Sequence, residues 1–383
     1  MNKLKKYLLL VFLMENVAVQ TTLFSGLTDI VFYGFLFIGL VLMLTGNIIS
    51  YRVRHKFGWM FVLLFIYIIY EFFVGFEYIS QKTILYTVAK VCTFSIIMTS
   101  IDEDEEFYRT NGVKILVFVI AGFLLYGLLS GTGMSSEEDR IRVGMTNSNT
   151  TGSMGAIIVG VVVFLTKKEK WSVPYYFLLL IGLVGILLSG SRAGLLMVSI
   201  LVFFRYGVNI KTIGMFLLLL ITAEIVLPFL GHSSILFDRV FGTLEGSVSL
   251  DRDDQRDAAI WMIQQKPWSG WGYMAENQGY AAAISQYKAH NGYLQTFVYM
   301  GLPMGFLWFL IVGFTILKYI RFMRKKRVGM DLFLALVLML LVKSMYESLF
   351  VGVHEFETNL FFVALAIMTA RMYSYKNGVL TKK

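Results

Sequence analysis

Apolar runs follow one another along almost the whole chain, parted by short polar segments. Twelve are long enough to cross, or nearly cross, a bilayer core. They lie near 5–26, 28–49, 57–76, 83–101, 112–131, 151–166, 173–190, 192–207, 211–230, 292–317, 331–353 and 356–374. The runs at 151–166 and 192–207 are short, so their helices are expected to tilt at their ends or to pair with interfacial turns. This predicts an all-α polytopic membrane protein of about twelve transmembrane helices, one integral membrane domain over residues 1–383. Only one polar stretch is long. It runs from Gly231 to Ala289, between the ninth and tenth runs, and ends at His290-Asn291. The segment 231–290 is therefore expected to be a large loop outside the cytoplasm with one short helix. Asp251 reads as the N-cap of that helix, the acidic first turn suits its dipole, and Pro267 follows its end. Arg252, Arg256 and Ala259 would share one face, with Ile260 and Ile263 alongside.

Composition agrees with a membrane class: 57% apolar residues, 15% charged and a mean hydropathy of +0.68. The net charge of +9 is mostly a topology signal. With the N-terminus inside, 23 Lys and Arg fall in inner segments and nine in outer ones, while Lys90 and Lys343 lie within runs. That bias predicts cytoplasmic N- and C-termini and a multi-pass protein of the bacterial cytoplasmic (inner) membrane, with the long loop on the trans side. No nucleic-acid partner is needed to explain the charge. The first run is not expected to be a signal peptide, since it lacks a small-residue cleavage site and is interrupted by Glu15, Asn16 and Gln20. Cys92 is the single cysteine, so no intramolecular disulfide forms, and the four histidines at 55, 232, 290 and 354 are too scattered for a Cys/His metal cluster. No metal and no cofactor are expected.

Glu15, Glu71, Lys90, Glu224, Lys343 and Glu347 lie within apolar runs, where a lone charge is costly. Lys343 and Glu347, four apart, are expected to pair on one helix face. Glu15, Glu71 and Lys90 would pair across helices. Gly152, Gly155, Gly182 and Gly185 are expected to be helix-packing contacts.

Chemistry is concentrated in the outer segments. Arg140-Ile-Arg142 precedes Gly144-Met-Thr-Asn147-Ser-Asn149, and the seventh run ends in Ser189-Gly190-Ser191-Arg192-Ala193-Gly194. The long loop carries Arg239, Arg252, Arg256, Lys266 and Lys288. Arginine presents a planar fork that matches phosphate oxygens, and several around a lipid diphosphate would hold it and stabilise charge on its departure. A histidine with a near-neutral pKa could take a proton from an attacking hydroxyl. The Trp and Tyr residues of the loop, Trp261 among them, would stack on sugars or form an interfacial belt.

Three motifs resemble the O-antigen ligase/Wzy polymerase superfamily of bacterial cell-envelope glycan assembly. One is Ser191-Arg192-Ala193-Gly194 after an apolar helix. Another is Arg256-x4-Trp261 followed by Pro267-Trp-Ser-Gly270-Trp-Gly272. The third is His290-Asn291-Gly-Tyr293-Leu294-Gln295 running into Tyr299-Met-Gly301-Leu302-Pro-Met-Gly305. Arg140 and the segment Gly144 to Asn149 resemble the family's earlier arginine-plus-Asn loop. Ala193 and Pro303 depart from the usual Gly and Ile. The resemblance implies a GT-C-like bundle with its large outer loop between helices 9 and 10. It implies an inverting, metal-independent membrane glycosyltransferase. The donor would be an undecaprenyl-diphosphate-linked oligosaccharide and the acceptor a glycan. His290 would be the general base or diphosphate-orienting residue, and Arg192 and Arg256 the diphosphate clamps. Arg140, Arg142, Asn291, Arg252, Lys288 and Trp261 would contact substrate. A polymerase would extend lipid-linked repeat units into a cell-surface polysaccharide (O-antigen, capsule or exopolysaccharide), beside a flippase and a chain-length regulator of the same pathway. A ligase would transfer the glycan to lipid A-core, protein or another envelope acceptor. Two alternatives stand apart: metal-assisted transfer through Asp251-x-Asp253, and a lipid-linked glycan flippase or other carrier that uses the buried charges.

Overall fold

The computed structural model describes residues 2–24, 26, 28–44, 51–70, 81–131, 141–166, 172–214, 217, 221, 250–272, 290–326, 331–350, 352 and 355–376. Side chains 251–254 also lie outside the described residues, as do Glu71, Glu224, His232, Arg239 and most of the run 211–230. The described chain is helical: α1 Asn2–Ala18, α2 Thr28–Leu44, α3 Tyr51–Lys56, α4 Gly58–Ile69, α5 Gln81–Phe107, α6 Val113–Ser130, α7 Ser148–Leu165, α8 Val173–Ser189, α9 Arg192–Tyr206, α10 Leu250–Gln265, α11 Gly292–Lys326, α12 Leu332–Lys343 and α13 Phe356–Lys376. Three described segments are long and apolar enough to cross a membrane, Ile84–Ser130, Ser148–Leu165 and Gly292–Lys326, and shorter apolar helices accompany them. The described residues form an all-α, multi-pass membrane fold.

α7 forms the centre. Every residue from Thr151 to Val163 is buried, because α6, α8, α9 and α12 all pack around it. A helix apolar on all sides is stable only in such a position. The close approach is made by glycine, as the small-residue steps predict. A Cβ on Gly155 would lie 2.5 Å from the Gly182 carbonyl oxygen, one on Gly182 would lie 2.9 Å from that of Gly155, and one on Gly152 would overlap Ser191. α13 is the second buried helix, with Phe356 to Ala370 enclosed.

At one end of the bundle the polar connections are tied by ion pairs. Asp102 accepts from Lys56 at 3.0 Å and lies 3.4 Å from Arg52; Lys6 meets Asp104 at 2.8 Å; Arg371 meets Asp331 at 2.5 Å. The expected runs at 83–101 and 112–131 are α5 and α6, joined through a kink at Asp104 and a π-turn over Tyr108–Gly112.

Two buried lysines find partners among the described residues, but not as the spacing suggests. α12 ends at Lys343, twelve residues from its start. Glu347 is therefore not on the same helix face, and the expected Lys343–Glu347 pair does not form. Lys343 instead meets Glu357 of α13 at 2.7 Å, both side chains nearly enclosed. Lys90 forms no ion pair with a described carboxylate. Its ammonium donates to the Gly352 carbonyl at 2.8 Å and to that of Phe350 at 3.5 Å, within about 6 Å of the Tyr67, Phe94 and Phe362 rings. Asn16 on α1 accepts from Asn359 on α13 at 2.5 Å and donates to Glu15 at 2.9 Å.

Replacing Gly155 by Val should lower the midpoint of thermal unfolding in detergent, since overpacking a tight contact costs roughly 1–3 kcal/mol. Gly122→Ala, where nothing lies within 4 Å of the added carbon, should leave the midpoint unchanged or raise it, because alanine is the better helix former.

Candidate functional site

Four segments distant in sequence meet at the bundle end opposite the ion pairs, around the first turn of α7. Asn147 caps α7, its side-chain oxygen accepting from the Asn149 amide at 2.7 Å. The preceding stretch is anchored on both sides. The Ile141 amide donates to the Leu188 carbonyl at 3.1 Å, and the Thr151 hydroxyl donates to the Arg142 carbonyl. Arg142 is thus held beside the end of α8. There Gly190, with φ 56°, terminates the helix and Ser191 begins the next. The Ser191 hydroxyl caps α9 by accepting from Gly194 at 3.1 Å. Gly194 presses on the α7 backbone: a Cβ there would sit 2.8 Å from the Gly152 carbonyl oxygen. Arg192 occupies the first residue of α9 and is half-buried.

His290 and Asn291 precede α11. The Asn291 side-chain oxygen accepts from the amides of Tyr293 at 3.0 Å and Leu294 at 3.1 Å, a helix cap, and its amide donates to the Met345 carbonyl at 3.4 Å. The Gly292 amide donates to the Ser344 carbonyl at 2.7 Å. These bonds tie the start of α11 to the turn after α12. That turn carries Glu347. One Glu347 oxygen lies 3.5 Å from Nδ1 of His290, and the other accepts from the Asn149 amide group at 2.6 Å. His290 has φ 40°, a left-handed conformation uncommon outside glycine.

The long loop is joined to this end through a break in α11. At Gly301 (φ 68°, ψ 174°) the helix is interrupted. The Pro267–Gly272 turn fills the gap. Trp271 and Gly272 amides donate to the Val298 and Tyr299 carbonyls at 2.8 and 3.0 Å, and the Leu302 amide donates to the Pro267 carbonyl at 2.7 Å. Pro303 then falls in the first turn of the second half-helix, where its missing N–H costs little. This accounts for the departure from Ile at that position. Gly270 and Gly301 face each other so closely that a Cβ on Gly301 would lie 2.6 Å from the Trp268 carbonyl oxygen.

α10 begins at Leu250, one residue before the expected cap. It docks through Ala259 and Met262, which are buried, and this turns Arg256 and Ile260 outward. The face expected to group Arg256 with Ala259 is therefore split. Arg256 is exposed and lies 3.4 Å from the Asp257 carboxylate. Trp261 is half-buried against the core. Trp271 closes the end of α10, donating from its ring to the Met262 carbonyl at 2.8 Å beneath the Lys266 ammonium. Trp268 is exposed.

Of the expected site residues, His290, Asn291, Arg142 and Arg192 come together in this end of the bundle. Arg256 and Trp261 lie on α10, which packs against α11. Arg140, Lys288, the Arg252 side chain and the Asp251-x-Asp253 side chains lie outside the described residues. Glu347 and Asn149 are contacts that the sequence reading did not place in the site. The signal for Glu347 was the polar run from Lys343 to Ser348, which interrupts an apolar stretch after only twelve helical residues.

The segment 177–310, which contains Arg192, Arg256, His290 and Asn291, matches the Wzy_C family model, described as O-antigen ligase. Over that segment, about a third of its length, the chain is similar to the O-antigen ligase family. Nothing matches it among curated proteins or among solved structures. Arg142, Asn149 and Glu347 lie outside the matched segment, so their place beside the domain comes from the fold.

Gly301→Ala should destabilise the protein by about 1–3 kcal/mol, because the left-handed backbone and the Trp268 carbonyl both reject a Cβ. Differential scanning fluorimetry in detergent checks this, and limited proteolysis should reveal earlier cleavage in the 250–289 loop.

Proposed function

We propose that this protein polymerises undecaprenyl-diphosphate-linked oligosaccharide repeat units into a cell-surface polysaccharide on the outer face of the cytoplasmic membrane. The observation that supports the reading most is that Arg192, Arg256, His290 and Asn291 all fall inside the matched O-antigen ligase segment. The glycine break and the caps hold His290 on the start of a helix, a rigid support for chemistry.

In this reaction Nε2 of His290 takes the proton of the acceptor hydroxyl. The freed oxygen attacks the anomeric carbon of the donor from the face opposite its diphosphate, and the bond to the diphosphate breaks with its electron pair. The anomeric configuration inverts. Arg192 and Arg256 meet the charge that develops on the leaving diphosphate, a task that bidentate guanidinium suits, so no divalent metal is required. Arg140, Arg142, Asn291, Arg252, Lys288 and Trp261 line the path of donor and acceptor glycan. A flippase that delivers the donor and a chain-length regulator are the expected partners.

The family description favours a second reading, transfer of a lipid-linked glycan to lipid A-core, protein or another envelope acceptor. The donor half of the mechanism is shared, and the acceptor alone differs.

Deleting the chain from its source cells separates these readings. A polymerase deletion should leave single repeat units on the surface, whereas a ligase deletion leaves long chains on the lipid carrier, and a carrier deletion traps donor on the inner leaflet. Complementation with His290→Ala should fail to restore polymer, by a margin on the order of 10²–10⁴-fold for lost acid–base catalysis. Arg192→Lys and Arg256→Lys, which keep the charge but lose the fork, should restore little. Near-normal polymer from both Lys variants would remove these residues from the mechanism.

The proposed topology has twelve spans, both termini in the cytoplasm and the 231–290 loop outside. A cysteine placed at Ser285 in a Cys92→Ser background should react with an impermeant maleimide in spheroplasts. Labelling only after lysis would reverse the orientation.

A further inference from the structure

We propose that Glu347 is the positioning residue for His290: it accepts the Nδ1 proton and so leaves Nε2 as the basic nitrogen facing substrate. The inference rests on the general-base reading of His290. It adds a residue from outside the matched family segment.

Three observations carry it. Glu347 bridges two elements, with one oxygen on Asn149 at 2.6 Å and the other 3.5 Å from Nδ1 of His290. Nδ1 is buried and makes no hydrogen bond in the structure, so an inward shift of a few tenths of an ångström by Glu347 gives that nitrogen its partner. Catalytic hydrogen bonds without substrate are often long in this way. Lastly, the segment bearing Glu347 is itself fixed. Its turn accepts from Gly292 and Asn291, and the segment just beyond is held by the Lys90 ammonium on the Phe350 and Gly352 carbonyls. A carboxylate against Nδ1–H selects the tautomer whose other nitrogen carries the lone pair. It also stabilises the imidazolium that forms when the acceptor proton is taken.

The test uses full-length protein in liposomes and lipid-linked glycan extracted from cells lacking this chain. Glu347→Gln retains an acceptor for Asn149 while removing the charge. Its kcat should fall about 10²-fold or more, as when an orienting carboxylate is lost, with KM for the donor within about twofold. Glu347→Asp should recover part of the loss. In a His290→Ala background, Glu347→Gln should add nothing. Unchanged kcat in Glu347→Gln, a loss expressed in KM alone, or a full further loss in the His290→Ala background would each overturn the proposal. If Glu347→Gln does not reach the membrane, Asn149→Ala, which releases one Glu347 oxygen, should lower kcat without moving KM, and a normal kcat there counts against it. Activity of His290→Ala would instead defeat the general-base reading, so the two failures are distinguishable.

Discussion

A polypeptide that leaves helical geometry inside a bilayer must find partners for the amide and carbonyl groups it frees, since hydrocarbon offers none. This protein breaks its helices twice beside the same end of the bundle, and each break is closed by protein. At Gly301 the freed carbonyls of Val298 and Tyr299 receive amides from the Trp271-Gly272 turn, and the freed Leu302 amide finds Pro267. After Lys343 the chain leaves helical geometry from Ser344 to Phe350, and Lys90 takes the carbonyls of Phe350 and Gly352. The Pro267–Gly272 turn is therefore built into the membrane domain.

The same constraint explains why the chemistry-bearing residues lie where they do. A break that is fully bonded is rigid, and rigid irregular backbone can present side chains that a helix cannot. His290 keeps its unusual φ because Asn291 and Gly292 are bonded to the Ser344–Met345 turn; strain of this kind persists only where surrounding contacts over-determine it. Gly292 is required there, since a Cβ would lie 2.7 Å from the Leu349 carbonyl oxygen. The break after Lys343 thus supports one imidazole.

Much of the fold was legible because lipid imposes a simple rule on composition and length. The small-residue steps at Gly152, Gly155 and Gly182 were read as packing contacts, and they are. The motif residues His290, Asn291 and Arg192 were singled out by their resemblance to family motifs, and they lie at the starts of α9 and α11. Pairings across the bundle were not. Lys343 and Glu347 have the spacing of a helical ion pair, but spacing carries no information about where the helix stops. Lys90 was expected to pair across helices; among the described residues it is held by a carbonyl pair exposed by a distant break. Arg256 was grouped with Ala259 by helical periodicity, yet docking through Ala259 and Met262 decides which side faces out.

Three helix N-termini are gathered at this end: α7 behind Asn147, α9 behind Ser191 and α11 behind Asn291. α9 meets α7 where Ser191 and Gly194 press on Gly152, and α11 reaches α7 through Glu347. Each N-terminus contributes partial positive charge within its first turn. On the proposed reading, this background acts together with Arg192 on an incoming diphosphate. It also offsets the charge of Glu347, which sits against two of these termini. An acid beside an anion-binding arginine would ordinarily weaken anion binding. Here its charge is spent on Asn149 and His290, so the site can hold a carboxylate for the base and a cationic surface for the leaving group a short distance apart.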